Sequence, residues 1–432
     1  MAKPPKPYRS RKVGNRTLSP ETLMMGFGHS PALSEGALKL PLFQTSTFVF
    51  RTAEEGKAFF ELAYGLREKH QGEEIGLIYS RINNPNLEVL EDRLAVWDQA
   101  EKSLSFASGM AAISTAMWSY LRPRDTFVFS EPVYGGTEFL VHNILPQFGI
   151  EGVGFMAESG ADGFREAAQK AVALAGKTGG RVGVIYVETP ANPTNGLVDI
   201  ALARQLSESM ATPAGRPAVL VDNTFLGPLW QTPLSLGADL SITSLTKYVG
   251  GHSDLIAGSV SGEEAWLAPV RVMRTILGTM GDPHTAWLLL RSLETLKLRM
   301  DAAAAGAKIV AEYLANHPRV KSVWYLGFLP EDHPDRPLYE RQCRSPGSTF
   351  SFEVKGGEKE AFAVLNALKV IKLAVSLGGT ETLASHPAAM THSDVPPESR
   401  ARLGITEALI RLSIGVEDPA DLVADLEQAL SA

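Results

Sequence analysis

The hydrophobic pattern changes along the chain and predicts its fold. Near-continuous apolar runs at Val182–Glu188, Ala218–Asp222 and Leu240–Thr243 predict strands that are buried on both faces, as in parallel sheets. Apolar residues at helical spacing lie between such runs, for example at 111–121. This part of the chain therefore predicts an α/β fold with a mostly parallel, doubly covered sheet.

The last third has a different pattern. Apolar and polar residues alternate at 349–354 and 409–414, which predicts an antiparallel sheet with one open face. A long helical stretch at 286–314 leads into this part. We therefore expect a large domain at 81–290 and a smaller α/β C-terminal domain at 291–432.

The first 80 residues show little of either pattern. Pro, Lys and Arg are common up to about residue 20, which predicts a loosely attached segment. Residues 41–50 are strand-like in composition, and residues 54–70 have the character of a helix. Because this region has few long apolar segments, we expect residues 1–80 to form an extended arm that contacts a neighbouring subunit.

Composition narrows the class of protein. The 432 residues are 44% hydrophobic and 21% charged, as in ordinary globular proteins, and their number suits two packed domains and an extension. The net charge of −7 argues against a nucleic-acid surface. The start is basic without an apolar stretch behind it, and no apolar run reaches the roughly 18 residues of a membrane helix. We therefore expect a cytoplasmic protein with no nucleic-acid or membrane partner.

Cysteine and histidine usage gives no metal-binding pattern. Cys343 is the only cysteine, which excludes an intrachain disulfide and a multi-cysteine metal site. His252, His386 and His392 match no metal-ligand spacing, and we assign them structural or supporting roles. The sequence therefore predicts no bound metal.

The segment after the predicted strand Leu240–Thr243 holds the strongest candidate for chemistry. Lys247 lies beside two hydroxyl residues, Ser244 and Thr246, and shortly before a pair of glycines. A lysine amine forms a Schiff base with an aldehyde, and burial lowers its pKa toward neutrality. The two hydroxyls can bind a phosphate beside it. Taken alone, the pattern also fits a surface lysine after an edge strand.

Two further features point to the same chemistry. Asp222 ends a predicted buried strand, where a carboxylate needs a cation or several donors, so it either holds a protonated ring nitrogen or caps the next turn. Gly109 begins the helix after a short strand, and amide groups at such a start bind anions, although an ordinary strand–helix turn has the same form. Together with Lys247 and its hydroxyl pair, these features describe a site for pyridoxal phosphate.

Several motifs, in a fixed order, extend this picture. They are Pro41-Leu-Phe-Gln-Thr-Ser-Thr-Phe, Tyr79-Ser-Arg81, Ser108-Gly-Met, Val133-Tyr-Gly-Gly-Thr, Glu188-Thr-Pro-Ala-Asn-Pro193, Val221-Asp-Asn-Thr, Ser244-Leu-Thr-Lys-Tyr, Ser376-Leu-Gly-Gly and Arg411-Leu-Ser-Ile-Gly. From about residue 41 to residue 430 the chain resembles the Cys/Met-metabolism family of pyridoxal-phosphate enzymes, which includes cystathionine γ-synthase. The resemblance implies the fold-type I architecture of pyridoxal-phosphate transferases.

The resemblance also implies how the cofactor, pyridoxal 5'-phosphate, is held. Lys247 would carry the cofactor and move protons, and Asp222 would hold the pyridinium nitrogen. Tyr134 would stack on the ring and assist proton transfer to a leaving group. The phosphate would be bound by Gly109, Met110, Ser244 and Thr246.

Substrate and subunit contacts follow from the same resemblance. Arg411 would bind the carboxylate of an amino-acid substrate as a bidentate fork, with Ser376 and Asn192 nearby. Tyr79 and Arg81 would reach the cofactor phosphate of the neighbouring subunit. The smallest active unit would then be a homodimer, and a pair of dimers is the usual form of the family.

The reaction implied by the resemblance acts on a sulfur amino acid. We expect α,γ-elimination of the methionine γ-lyase or cystathionine γ-lyase type, giving 2-oxobutanoate, ammonia and a thiol. One alternative is γ-replacement, as in cystathionine γ-synthase or an O-acetyl- or O-succinylhomoserine sulfhydrylase. A non-catalytic binding relative is an alternative of another class.

Two sequence features bear on this choice. Gly136 stands where methionine γ-lyases usually have a cysteine, which favours the cystathionine and sulfhydrylase branches, whereas the segment 381–392 resembles the lyases at least as well. The segment 59–76 is longer than in most members and lies just before Tyr79, so it can reshape the mouth of the site.

Overall fold

The computed structural model describes residues 9–70, 73, 76–393 and 395–432. The start of the predicted loose segment, and part of the longer segment at 59–76, therefore lie outside the described residues. The strands are β1 Lys12–Val13, β2 Arg16–Thr17, β3 Lys102–Phe106, β4 Thr126–Glu131, β5 Glu151–Met156, β6 Val182–Glu188, β7 Ala218–Asp222, β8 Leu240–Thr243, β9 Gly258–Gly262, β10 Val320–Trp324, β11 Thr349–Val354, β12 Lys372–Leu373, β13 Leu383–Ser385 and β14 Leu409–Ser413. The helices are α1 Pro20–Leu23, α2 Ala53–Ala63, α3 Pro85–Trp97, α4 Gly109–Tyr120, α5 Gly135–Phe139, α6 Gly160–Thr178, α7 Ile200–Ser209, α8 Glu264–Leu277, α9 Pro283–Leu293, α10 Leu296–Ala315, α11 Arg336–Gln342, α12 Glu358–Ala367, α13 Pro397–Arg402 and α14 Pro419–Ser431.

The larger sheet has seven strands in the order β3-β9-β8-β7-β6-β4-β5. Strands β5, β4, β6, β7 and β8 run parallel, whereas β9 is antiparallel to both of its neighbours. Along β6, Val184 and Tyr186 pack in the core that contains α4 and α8, and Ile185 and Val187 pack in the core that contains α6 and α7. Successive side chains point to opposite faces, so both faces are covered. The predicted mostly parallel, doubly covered sheet is confirmed.

The smaller sheet has the order β10-β11-β14-β13-β12 and is antiparallel except for the pair β12–β13. The predicted antiparallel sheet is therefore confirmed, but the predicted open face is wrong, because every residue of β11 and β14 is buried. Phe350 and Phe352 pack in a core with helices α10, α12 and α14. The polar position Ser351 meets the larger unit instead of water, since its hydroxyl donates to the carbonyl of Pro193 (2.8 Å).

The predicted helical stretch at 286–314 is two helices, α9 and α10, separated at residues 294 and 295. Helix α10 joins the two units, since Leu296 and Met300 belong to a core of the larger unit while Val310 and Leu314 belong to that of the smaller one. The domain limits at 81–290 and 291–432 remain a prediction. No described helix combines the length and the apolar character that a bilayer crossing requires.

The N-terminal region is more firmly attached to its own chain than predicted. Strands β1 and β2 form a small antiparallel hairpin, and Leu23, Met24 and Phe27 are buried against α3. The strand-like segment 41–50 contains no strand and contributes only an isolated bridge between Thr47 and Tyr79, and helix α2 ends at Ala63, earlier than predicted. Contact of this arm with a neighbouring subunit remains a prediction.

The smaller unit is fastened to the larger one beside Lys247. The Tyr248 hydroxyl lies 2.9 Å from the hydroxyl oxygens of both Ser348 and Thr349. Gly378 has a φ of +75°, and a Cβ built on it would lie 2.7 Å from the backbone nitrogen of Tyr248. Only glycine allows this close approach without strain. The position of the Lys247 backbone thus depends on the smaller unit.

This contact predicts that Gly378→Ala is unusually destabilising. Alanine at this φ costs about 1–2 kcal/mol, and the clash with the Tyr248 backbone adds about 1–3 kcal/mol of overpacking. Gly278→Ala is the matched control, because Gly278 has a φ of +73° but nothing within 4 Å of its built Cβ. Chemical denaturation of both apoproteins should show the larger loss for Gly378→Ala; equal losses would mean that the contact contributes nothing.

Candidate active site

A cavity of about 580 Å³ lies at the carboxyl ends of β6, β7 and β8, where loops of parallel strands converge. Residues of β14 and of the loop before β13 complete its wall. All the predicted site residues except Tyr79 and Arg81 line this cavity. They are Gly109, Met110, Tyr134, Asn192, Asp222, Ser244, Thr246, Lys247, Ser376 and Arg411. The structure thus brings together residues that are far apart in the sequence.

Lys247 follows β8 and directs its amine into the cavity. Its Nζ donates a hydrogen bond to the Ser376 hydroxyl (2.9 Å). Burial lowers the pKa of Lys247 to about 8, assisted by the positive charge of Arg411 and opposed by the carboxylate of Asp222. An amine with this pKa is present in part as the neutral nucleophile near pH 7. The alternative of a surface lysine is therefore wrong.

Asp222 ends β7 and is held by three donors. The Thr224 backbone N–H (3.0 Å) and hydroxyl (2.6 Å) both donate to its Oδ1, and the Tyr186 hydroxyl donates to its Oδ2 (3.2 Å). Burial raises the pKa of Asp222, while these donors and the charge of Lys247 favour the ionised form. A buried carboxylate in this position can bind a cationic ring nitrogen, which would supply the missing counter-charge.

The start of α4 forms an anion site beside Ser244. The Ser108 side chain caps the helix by accepting from the Ala111 N–H (2.9 Å), and the first N–H groups of a helix have no partner inside it. A Cβ built on Gly109 would lie 2.9 Å from the Ser244 hydroxyl oxygen, so glycine lets the helix start approach this hydroxyl closely. Amides, helix dipole and hydroxyls together suit a phosphate group.

Arg411 lies on β14 at the opposite wall and is 3% exposed. It donates to the Asn192 side-chain oxygen (2.9 Å) and to the Ser376 carbonyl (2.8 Å), and it forms no ion pair with a carboxylate of the described chain. Burial lowers the pKa of Arg411 to about 10. A buried guanidinium without a counter-ion is suited to an anionic ligand.

Ser376 connects these two cations. Its hydroxyl accepts from Lys247 and its carbonyl accepts from Arg411, while its backbone has a φ of +110°. Non-glycine residues rarely occupy this region, and such strain concentrates at functional sites. The strained backbone places the hydroxyl and the carbonyl toward different partners.

Three contributing residues were absent from the set predicted by sequence. Tyr186 and Thr224 hold Asp222, and Glu188 accepts hydrogen bonds from the backbone N–H groups of Tyr134 (2.8 Å) and Asn192 (2.9 Å). The sequence contains a signal for each pair. Thr224 is two residues after Asp222, which is a common spacing for a turn closed by a carboxylate. Tyr186 is two residues before Glu188 on β6, so the two side chains point to the same face of the sheet.

Gly136 packs tightly beneath the Tyr134 ring. A Cβ built on Gly136 would lie 2.8 Å from the ring carbon Cε1 of Tyr134 and 3.0 Å from the sulfur of Met110. Any side chain at this position would require the ring or the thioether to move. A cysteine at position 136, which methionine γ-lyases usually have, would not fit beside the Tyr134 ring as it is placed in this chain.

Tyr79 and Arg81 do not reach the cavity of their own chain. Arg81 donates to the Thr275 carbonyl (2.7 Å) and its guanidinium lies 5.8 Å from the centre of the Tyr79 ring. The Tyr79 side chain is 42% exposed. Their action on a neighbouring subunit remains a prediction.

A cluster of possible metal ligands lies outside the cavity lining. Oxygen or nitrogen atoms of Glu131, Glu138 and His142 lie within 4.8 Å of one another. Arg402 already donates to Glu131 (3.4 Å), and the carboxylate of Glu138 raises the pKa of His142. Arg402 therefore supplies a positive charge to this cluster from within the protein.

The cavity fits one kind of cofactor. It offers an amine of lowered pKa, a buried carboxylate for a ring cation and a helix start for a phosphate, which together suit pyridoxal phosphate. The chain belongs to the Cys/Met metabolism PLP-dependent enzyme family, whose profile matches residues 21–431. It is a pyridoxal-5'-phosphate-dependent enzyme of sulfur amino-acid metabolism.

Individual relatives cover almost the whole chain. An L-methionine gamma-lyase of Pseudomonas putida is 40% identical over 94% of this chain and 95% of its own length. A cystathionine gamma-lyase of Bacillus subtilis is 36% identical over 95% of this chain and 98% of its own length. A crystal structure of cystathionine gamma synthase from Xanthomonas oryzae pv. oryzae, in complex with aminoacrylate and cysteine, superposes with a TM-score of 0.82 at 30% identity, covering 96% and 98% of the two chains.

The lowered pKa predicts how the apoprotein takes up pyridoxal phosphate. The neutral amine is the nucleophile, so the uptake rate should rise from pH 6.5 to pH 8 and level off above about pH 8.5, whereas an ordinary lysine would give a rise that continues toward pH 10. Stopped-flow absorbance measures the rate, and borohydride trapping with mass spectrometry should place the label on Lys247. A rate that keeps climbing beyond pH 9 would contradict the lowered pKa.

Proposed function

We propose that the protein catalyses α,γ-elimination on a sulfur amino acid, giving 2-oxobutanoate, ammonia and a thiol. The observation that carries the proposal is the placement of the Lys247 amine and the Arg411 guanidinium on one cavity, joined through Ser376. An amino acid whose carboxylate binds Arg411 presents its α-carbon toward Lys247. The methionine and cystathionine gamma-lyase relatives supply the reaction class.

The chain's own residues would divide the work as follows. When bound, pyridoxal phosphate supplies an electron sink for the electron pair left at the substrate α-carbon. Arg411 holds the substrate carboxylate, and Lys247 removes protons from the α- and β-carbons. The Tyr134 hydroxyl, at the mouth of the cavity, donates a proton to the departing sulfur. Asp222 would hold the ring nitrogen in its protonated form.

The phosphate end of the cofactor is held by groups that do not take part in proton transfer. The amides at the start of α4 and two hydroxyls supply hydrogen-bond donors without a full charge, and the helix dipole adds to the attraction that Arg81 of a neighbouring subunit would exert. We assign this binding to Gly109, Met110, Ser244 and Thr246.

A second candidate reaction is γ-replacement on an O-acylhomoserine. The likeness to the cystathionine gamma synthase structure favours it, as does the absence of a side chain at Gly136. The two reactions share every step up to loss of the γ-substituent, so they differ in whether water or a thiol completes the turnover.

Substrate tests separate these reactions. Holoenzyme incubated with L-methionine, L-cystathionine or O-acetylhomoserine alone should release 2-oxobutanoate from at least one sulfur substrate, measured with a coupled 2-oxo acid assay. Addition of sulfide to O-acetylhomoserine reveals replacement as homocysteine. Elimination is not the main activity if no substrate alone yields 2-oxobutanoate.

Lys247→Ala is the companion variant. It should lower the turnover number by at least about 10³-fold, because the group that moves protons is removed, and it should abolish the visible absorption band of the lysine-bound cofactor. Retention of fold is checked by circular dichroism. A wild-type protein without any such band would instead favour the non-catalytic binding relative.

We propose further that the protein acts as a cytoplasmic homodimer or a pair of dimers. The arm residues Tyr79 and Arg81 lie outside the cavity of their own chain, where they are available to a neighbour. Large apolar side chains on the same arm are exposed, including Val49 (99%) and Leu66 (72%). Such side chains are suited to burial in a subunit interface.

Mixed dimers test this assignment. Arg81→Ala and Lys247→Ala should each be inactive or strongly impaired, yet a mixture of the two should recover roughly a quarter of wild-type activity, since random pairing makes half the dimers hybrid with one intact site each. Activity after co-expression or co-refolding is the measurement. No recovery in hybrids verified by native mass spectrometry would place Arg81 outside the neighbour's site.

A further inference from the structure

Glu188 is a buried titratable group with no part in the proton transfers described above. It ends β6, is 4% exposed, and lies opposite Asp222 in the register of β6 and β7. Burial, followed by the charge of Asp222, raises the pKa of Glu188, so this position is costly for a carboxylate. The reason for a carboxyl group at this buried position must therefore lie in the groups that its two oxygens bind.

The two oxygens connect opposite walls of the cavity. Oε2 accepts from the backbone N–H of Tyr134 (2.8 Å), the residue before α5. Oε1 accepts from the backbone N–H of Asn192 (2.9 Å), whose side-chain oxygen in turn accepts from Arg411 (2.9 Å). One carboxylate therefore lies between the tyrosine and the guanidinium that face the ligand.

The backbone of Glu188 is held firmly by the sheet. Its backbone N–H donates to the Ser130 hydroxyl of the neighbouring strand β4 (2.9 Å), in addition to its place in the sheet. Neither Tyr134 nor Asn192 lies in a strand, and the backbone N–H of each donates to a Glu188 oxygen. Displacements of about 1 Å in such groups can cost roughly 10²-fold in rate.

We infer that Glu188 is a positioning residue that fixes the Tyr134 hydroxyl and the Asn192–Arg411 pair relative to each other. This inference rests on the proposed function in two respects, the binding of the substrate carboxylate by Arg411 and the proton donation by the Tyr134 hydroxyl. Glu188 does not contact the reacting atoms in this role. It acts through two backbone amides.

Binding of small amines to the holoenzyme tests, without turnover, whether Glu188 positions the Asn192–Arg411 pair. Glycine carries a carboxylate and methylamine does not, and the binding of each is followed by the change in the cofactor's visible spectrum. Glu188→Ala should weaken glycine about tenfold, as expected when the hydrogen bond that holds Asn192 beside Arg411 is lost, and change methylamine less than twofold. Equal changes for both ligands, or none, would overturn the inference.

A double-mutant cycle tests whether Glu188 positions the Tyr134 hydroxyl. Glu188→Gln keeps the volume of the side chain but replaces one acceptor by a donor, so kcat should fall roughly 10- to 100-fold. In a Tyr134→Phe background the same change should lower kcat less than about threefold, because there is no hydroxyl left to position. The same factor in both backgrounds would indicate a general structural effect and would refute positioning of Tyr134.

Glu353→Gln is the matched control. Glu353 is also a buried strand glutamate, on β11, and it accepts from the hydroxyls of Thr406 (2.6 Å) and Ser322 (2.9 Å) outside the cavity. It should lower the thermal midpoint of the apoprotein while leaving kcat/KM unchanged. If the wild type shows no elimination, the glycine and methylamine comparison still decides the role of Glu188, so failure of the proposed function and failure of this inference are distinguishable.

Discussion

The cost of burying charge in one cavity is the constraint on which the rest of the structure depends. Lys247, Asp222 and Arg411 all leave water, and each would be expensive without partners. The parallel sheet solves part of this problem by ending several strands at one edge, where loop amides and hydroxyls converge. The remaining charge is left unbalanced toward the cavity, as an amine of lowered pKa and a guanidinium that pairs with no carboxylate among the described residues. A bound anionic ligand would supply the missing negative charge.

Because charged groups must face the cavity from both sides, each of the two sheets contributes some of them. The larger sheet provides the cofactor side, with Lys247 and Asp222 after neighbouring strands. The smaller sheet provides Arg411 and, through the loop before β13, Ser376. Its alternating pattern was interpreted as one face toward water, but Thr349 and Ser351 on the polar face of β11 contact the larger unit. Polar residues on a strand therefore indicated an interface inside the molecule.

Much of the fold and site was accessible from the sequence because the relevant signals are local or ordered. The strands Val182–Glu188, Ala218–Asp222 and Leu240–Thr243 were predicted with their observed limits, since continuous apolar runs end sharply at polar residues. What failed depends on tertiary contacts. The break between α9 and α10 carries no proline or glycine, and the attachment of Leu23, Met24 and Phe27 to α3 needs a partner far along the chain. Glu188 was visible as a strand end, but its two amide partners were not.

The electrostatic influence of one cation on the other links the two units of the molecule. Burial lowers the pKa of Lys247, and the positive charge of Arg411 lowers it further although the two residues belong to different units. The smaller unit therefore contributes to the acidity of an amine that the larger unit presents. A change that moved Arg411 away from the cavity would weaken this contribution, so the two units together set the chemistry of one side chain.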